Sequence, residues 1–328
     1  MATYNYDVVI VGAGPAGMCA GMYAGRSMLK AVVLERGFPG GELLNTELIE
    51  DYPGFETILG HELAQKFCDH AAKFGAEFRN GATVECVQKR ADGSFETVVE
   101  GGDVYLSPAV IVTAGGTPIK LGIPGEQEYA GKGVSYCAIC DGAFFRNQEI
   151  AVVGGGDAAT EEADFLTRYA SKVYLIHRRD SLRASKILQK RLFENKKVEV
   201  IWNTVVDQVE GDEQGLVKNL KLRNVETDAL NGLAVQGMFV FIGFRPNTGI
   251  IEGHVDHDDM GYLRTDANMQ TTMRGLFAAG DVRSQLTRQV TTAVGDATTA
   301  AIAAEKYLKA LADGDGSEPL VGTGGYAV

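Results

Sequence analysis

Long hydrophobic runs are missing from this chain: no apolar stretch approaches the roughly 20 residues needed to span a bilayer. The first strand-like run opens at about Asp7, which leaves no room for a targeting peptide. These absences point to a soluble, cytoplasmic protein with no membrane partner. Positive charge is also short. The 328 residues carry 43 acidic against 31 basic side chains, a net charge of −12. Binding a polyanion needs a positive face, so nucleic acid is excluded as a partner and the acidity serves solubility. Cysteine, at five residues, is too sparse for a disulfide-stapled secreted scaffold. Low-complexity repeats are absent too, because the 41 glycines fall at turn and loop positions. What is present is a chain with 45% hydrophobic residues, long enough for two domains with full cores.

Against that background one stretch stands out, Tyr136-Cys137-Ala138-Ile139-Cys140-Asp141-Gly142. Two cysteines separated by two residues can close a small disulfide ring with an acidic, reactive thiol. A structural zinc site needs a second Cys or His pair at ligand spacing. Cys19, Cys68 and Cys86 stand alone, and His254 and His257 lie about 110 residues downstream, where a finger leaves about 12–15. No metal site is expected, and redox use is the better reading of the pair.

The cysteines lie between two glycine loops. Asp7-Val8-Val9-Ile10-Val11 reads as a strand buried on both faces, followed by Gly12-x-Gly14-Pro15-Ala16-Gly17 and a helix from Met18 to Arg26. Gly12 allows the tight turn, Gly14 the approach of a pyrophosphate, and Gly17 close packing of helix on strand. The next strand, Ala31 to Leu34, ends in Glu35, placed for a ribose hydroxyl. A second unit repeats the pattern with Ile150–Val153, Gly154-Gly155-Gly156-Asp157-Ala158-Ala159 and a helix from Thr160 to Tyr169. Its following strand ends in His177-Arg178-Arg179-Asp180, with Arg183 close behind. Guanidinium groups there pair with a 2′-phosphate that a carboxylate would repel, so this site should prefer NADPH over NADH. The same arginines could also be a solvated basic patch at a helix start.

Elsewhere Gly40-Gly41-Glu42 and Tyr52-Pro53-Gly54-Phe55 read as loops. Leu63 to Phe74 has helical spacing, and short strands run from Ala82 through Tyr105. Ala109–Val112 is a buried strand ending in Thr113-Ala114-Gly115-Gly116. Breaks come at Leu121-Gly122-Ile123-Pro124-Gly125 and at Gly243-Phe244-Arg245-Pro246-Asn247. Gly280-Asp281-Val282 turns after a strand, and Arg288 to Leu311 reads as a long Ala- and Thr-rich helix. The glycine-rich tail places Tyr326 where its ring could cover a flavin or adenine, although most such tails are disordered.

Taken together, both glycine loops, Cys-x-x-Cys-Asp and His-Arg-Arg-Asp resemble the low-molecular-weight thioredoxin reductase family over about residues 5 to 311. Gly40-Gly41, Tyr52-Pro53-Gly54-Phe55 and Gly280-Asp281-Val282 with Arg288-Gln289 extend the likeness. The resemblance implies an α/β fold of two Rossmann-like three-layer nucleotide-binding domains, one inserted into the other. The FAD domain is expected at residues 1–117 and 246–328, and the NADPH and disulfide domain at 118–245. FAD is expected on Gly12, Gly14, Pro15, Ala16, Gly17, Glu35, Gly41, Glu42, Asp51, Gly115, Gly280, Asp281, Arg288 and Gln289. NADPH is expected on Gly154, Gly156, Asp157, Ala158, His177, Arg178, Arg179 and Arg183. Cys140 is expected nearer the flavin, Cys137 attacks a protein disulfide, and Asp141 handles the proton. Asp141-Gly142 can equally be read as a turn-forming pair.

The implied enzyme is a homodimer that carries electrons from NADPH through FAD and Cys137–Cys140 to thioredoxin or a similar small protein. One inserted domain must then present two sites to one flavin, which implies rotation about crossings near 117 and 245. Glu42, Asp51 and Ala114 depart from the family's Gln, Asn and Thr. If ionised, the two carboxylates lower the flavin potential. Two other readings stand beside this one. The first keeps the dithiol but takes ferredoxin or a second FAD in place of NADPH, as in cyanobacterial variants. The second is a ferredoxin–NADP reductase, which lacks the cysteine pair. The large disulfide reductases are excluded by length and by the late position of Cys137, and a binding module leaves both glycine loops unexplained.

Overall fold

A computed structural model describes residues 1–46 and 48–314; the tail reading centred on Tyr326 lies outside the described residues. The chain divides into two compact units, Met1–Thr117 with the chain from Arg245 onward, and Pro118–Phe244.

The first unit is built on a five-stranded parallel sheet in the spatial order Leu276–Ala278, Ala109–Val112, Val8–Val11, Ala31–Glu35, Glu77–Asn80. Its central strands are apolar at every position because both faces are covered. Side chains alternate between the faces at period two. Val8, Ile10, Ala31, Val33, Ala109 and Ile111 point to a layer containing the helices Pro15–Arg26 and Val290–Ala312. Val9, Val11, Val32, Leu34, Val110 and Val112 point the other way, to a core shared with Val87, Phe95, Val99 and Tyr105. Those last residues belong to a four-stranded sheet in the order Thr3–Asn5, Val104–Ser107, Phe95–Val99, Val84–Lys89. Each buried Val or Ile contributes about 1.5–3 kcal/mol, so the alternation fixes register as well as stability.

The second unit repeats the plan. Its parallel sheet runs Val134–Ser135, Gly237–Phe241, Glu149–Gly154, Lys172–Ile176, Val198–Ile201. Ile150, Val152, Val173, Leu175 and Phe239 pack toward Ala163, Leu166 and Leu192 of the helices Asp157–Leu166 and Lys186–Glu194. Ala151, Val153, Met238 and Val240 pack toward Val206, Val209, Leu220 and Leu222 of the antiparallel strands Thr204–Gly211 and Val217–Asn224. Each unit therefore has three layers, helices, parallel sheet and antiparallel sheet.

Three local readings are corrected. Gly41–Asn45 and Gly280–Val282 are single 3-10 turns, and not an open loop and a plain turn. The long helix starts at Val290, because Gln289 caps it: the Gln289 side chain accepts from the Thr292 backbone, and Thr292 Oγ1 accepts from Gln289 N at 3.1 Å. Asp141 ends a short helix, Ala138–Asp141, that runs on into a 3-10 turn, Gly142–Phe145.

Candidate active site

In the first unit the loop after Val8–Val11 is shaped by contacts that only glycine permits. A Cβ on Gly12, which sits at φ +100°, would lie 2.6 Å from Thr113 O, and one on Gly17 would lie 1.8 Å from Gly12 O. Thr113 Oγ1 is placed between Val11 O and Gly12 O, at 2.9 and 2.8 Å, and ties two strand ends together. Pro15 occupies the first helical turn, where its missing N–H costs nothing, and no side chain caps that helix. Backbone N–H groups at such a start suit a pyrophosphate.

Other expected residues converge here. A Cβ on Gly41 would sit 3.0 Å from Gly14 Cα, and one on Gly280 would sit 3.0 Å from the Ala16 methyl. Glu35 accepts from Ala13 N at 2.8 Å and from Gly37 N at 2.9 Å. A carboxylate has about four acceptor positions, which leaves capacity for a ribose. Gly115 O accepts from Asn247 N at 3.0 Å, and Asp51 is exposed in the bend before Tyr52.

The electrostatics of this place are unusual. Burial pushes the Asp281 carboxyl up to about 6; Arg288 pulls it down, while Glu42 and Asp296 push it up further. Glu42 is also raised by desolvation, against a hydrogen bond from Asn45 Nδ2 at 3.1 Å and the charge of Arg36. Its tip is nevertheless exposed. A group crowded by protein yet open to solvent lines a crevice. Arg288 is held with its guanidinium 4.0 Å from the centre of the Tyr262 ring. The sequence reading missed the pair Arg283–Asp296, 2.8 Å apart and largely buried, whose Asp296 also accepts from Gly280 N at 3.2 Å. A lone acid within the Ala-rich helix was the available signal.

In the second unit Cys137 and Cys140 are joined as a disulfide with Cα atoms 5.4 Å apart. Cys137 is half-buried and Cys140 exposed. Cys137 N donates to Ser135 Oγ at 3.1 Å, and Cys140 N donates to Cys137 Sγ at 3.2 Å. Gly142 lets the following turn approach Leu166, whose side chain would lie 2.9 Å from a Cβ there. Tyr136 OH donates to Glu126, which is only 2% exposed and also accepts from Leu121 N and Gly122 N. Glu126 thereby anchors the residue just before the dithiol, a support absent from the sequence reading. Asp141 is half-exposed beside Cys140.

The second glycine loop is equally constrained: a Cβ on Gly154 would lie 2.3 Å from Phe241 O. Gly156 is open, and Asp157, Ala158, Arg178, Arg179 and Arg183 are exposed. Asp157 Oδ1 accepts from Ser185 N at 2.6 Å. His177, expected among the residues that touch a nucleotide, is placed otherwise. Its ring is 6% exposed and both nitrogens face backbone carbonyls. Among the described residues no group of three or more His, Cys, Asp or Glu could hold a metal ion, and no helix is long and apolar enough to cross a membrane.

Comparison with known proteins agrees with this arrangement. The profile described as pyridine nucleotide-disulphide oxidoreductase matches residues 6–297. The chain belongs to that family. It is 46% identical over 306 residues to the thioredoxin reductase of Bacillus subtilis, covering 93% of this chain and 96% of the relative. Among solved structures, that of Lactococcus lactis thioredoxin reductase in the FR conformation matches with a TM-score of 0.90 at 44% identity, over 93% of this chain and 99% of that one. The Thermoplasma-type structure titled T. acidophilum thioredoxin reductase matches with a TM-score of 0.87 at 34% identity, over 94% and 99%. The chain is thus an oxidoreductase with the two-domain, Rossmann-like fold of those structures.

Proposed function

We propose that this protein is an FAD-dependent thioredoxin reductase that uses NADPH, acts in the cytoplasm and works as a homodimer. One observation carries the reading: the Cys137–Cys140 disulfide sits in the same unit as a glycine loop backed by exposed Arg178, Arg179 and Arg183. The first unit supplies a cradle that fits FAD, with Gly12, Gly14 and Gly41 keeping Cβ atoms out of it and Glu35 at the strand end. Asp281, titrating at about 6, can meet a flavin ribityl or ring atom as acceptor or donor.

When bound, FAD supplies the carrier that takes two electrons from NADPH and delivers them to the disulfide. The remaining chemistry belongs to the chain. Arg178, Arg179 and Arg183 bind the 2′-phosphate, and the glycine loop leaves room for the pyrophosphate. In the reduced dithiol, Cys140 N–H beside Cys137 Sγ stabilises a Cys137 thiolate. That thiolate attacks the partner's disulfide, forms a mixed disulfide and expels one partner thiolate. Cys140 then attacks Cys137 Sγ, which restores the 137–140 bond and releases the second partner sulfur. Asp141 takes the proton from Cys140 as it becomes nucleophilic and returns it to a leaving sulfur.

The test is an anaerobic NADPH titration of the purified protein, followed by flavin absorbance and by reduction of thioredoxin. Bleaching by about one NADPH per flavin, with turnover of thioredoxin, supports the reading. A flavin that NADPH leaves oxidised but reduced ferredoxin bleaches would overturn it.

A further inference from the structure

His177 closes the strand Lys172–Ile176, and the surroundings of its ring pose a problem of proton count. Nδ1 lies 2.8 Å from Gly154 O and Nε2 lies 3.0 Å from Ser181 O. A neutral imidazole has a single N–H and can donate to only one of them. Its other nitrogen then turns a lone pair toward a carbonyl oxygen, in a place with little water to relieve it. An imidazolium donates to both.

The two carbonyls belong to segments with different tasks. Gly154 opens the glycine loop, while Ser181 lies between Arg179 and Arg183. Arg183 N also donates to Gly155 O at 2.8 Å, and a Cβ on Gly155 would lie 2.2 Å from the His177 ring. The imidazole is therefore a strut between the loop assigned to the pyrophosphate and the arginines assigned to the 2′-phosphate.

In the free chain the strut is biased toward neutrality. Burial pushes its pKa down, the two carbonyls oppose this, and the charges of Arg179 and Arg183 push it down further. Other charges on these segments are Arg178, Asp180, which accepts from Ser181 Oγ, and Asp157, which accepts from Ser185 N. The Trp202 ring against His177, and Phe193 against Trp202, are uncharged. A dianion between the arginines offsets their repulsion of the ring.

We propose that His177 is a proton-linked positioning residue: a phosphate dianion on Arg179 and Arg183 draws one proton from solvent onto its ring, which then donates to both Gly154 and Ser181 and fixes the arginine segment against the glycine loop. The proposal rests on the assignment of these arginines to the 2′-phosphate of NADPH.

Isothermal titration of the purified flavin-loaded protein with 2′,5′-ADP and with 5′-AMP, at pH 7 in buffers of different ionisation enthalpy, tests it. Wild type and His177→Gln are compared, since glutamine can still donate one hydrogen bond but cannot charge. Wild type should take up more protons per 2′,5′-ADP than the variant. The variant should bind 2′,5′-ADP about 3–10-fold more weakly, as for loss of one hydrogen bond, with 5′-AMP affinity unchanged. The 2′-phosphate ionises near pH 6 and releases its proton on meeting arginines, a contribution of opposite sign that both proteins share. Equal proton counts in the two proteins overturn the proposal, even where affinity falls, because a merely structural ring would do the same. Equal affinity of wild type for 2′,5′-ADP and 5′-AMP would instead remove the NADPH assignment beneath it.

Discussion

Asp281 offers a measurement that reads the first unit's electrostatics directly, through the substitution Asp281→Asn. An ordinary aspartate titrates at 3.8 and Asp281 at about 6, chiefly because it is buried. Each pH decade between folded and unfolded values is worth about 1.4 kcal/mol, so full burial would give about 3 kcal/mol. Part of the carboxylate still meets solvent, and about 1–2 kcal/mol is the better figure. The sign follows from the raised value. Below pH 4 both states are protonated and the stability is fully present. Between pH 4 and 6 the unfolded chain releases its proton while the folded chain resists, so stability is lost with rising pH and levels off above 7. Asparagine cannot titrate, and its variant lacks this slope. Urea unfolding of flavin-free protein at several pH values, with wild type and variant side by side, cancels every other titrating group. The variant should gain about 1–2 kcal/mol on wild type between pH 4 and 7.5. A difference that is constant with pH, or that runs the other way, would refute the burial argument.

Replacing Cys137 with Ser should leave a thiolate at Cys140 and a long-wavelength flavin absorbance band; a band seen only in Cys140→Ser would reverse the two roles. Arg178→Ala with Arg179→Ala should lower NADPH use by roughly ten- to hundredfold, the worth of one charge-assisted contact, while NADH use stays nearly constant. An unchanged NADPH to NADH ratio in steady-state assays would mean that these arginines only face solvent. Gly17→Ala pushes a methyl to within 1.8 Å of Gly12 O and should cost about 1–3 kcal/mol or more, read as lost flavin retention and a lowered unfolding midpoint.

The layers of both units were legible because they rest on period and composition. Val8–Val11, Ala109–Val112 and Ile150–Val153 are apolar at each position, which fits only strands covered on both faces, and glycine loops follow the first and third. The starts and ends of elements were less legible. Gln289 reads as one more residue of an Ala- and Thr-rich helix, and only its exchange of hydrogen bonds with Thr292 makes it the cap. Gly40-Gly41 reads as a loop because glycine punctuates loops, yet here the pair lets a 3-10 turn approach Gly14.

The candidate site divides along a similar line. Residues whose chemistry is carried by type and spacing, such as Cys137, Cys140 and the arginines after His177, could be named from the chain alone. Residues that act by holding others could not, because their partners are distant in sequence and are mostly backbone atoms. Thr113 latches carbonyls about 100 positions away, and Glu126 collects two backbone amides and the Tyr136 hydroxyl. His177 lies on the boundary. Its place beside two arginines made it look like a phosphate ligand, but a ring with both nitrogens on backbone carbonyls has no edge left to offer one. Motif membership identified the right segment, and the hydrogen-bond geometry assigned the side chain's work within it. Where a polar residue in a binding motif is also deeply buried, its partners have to be counted before it is made a ligand.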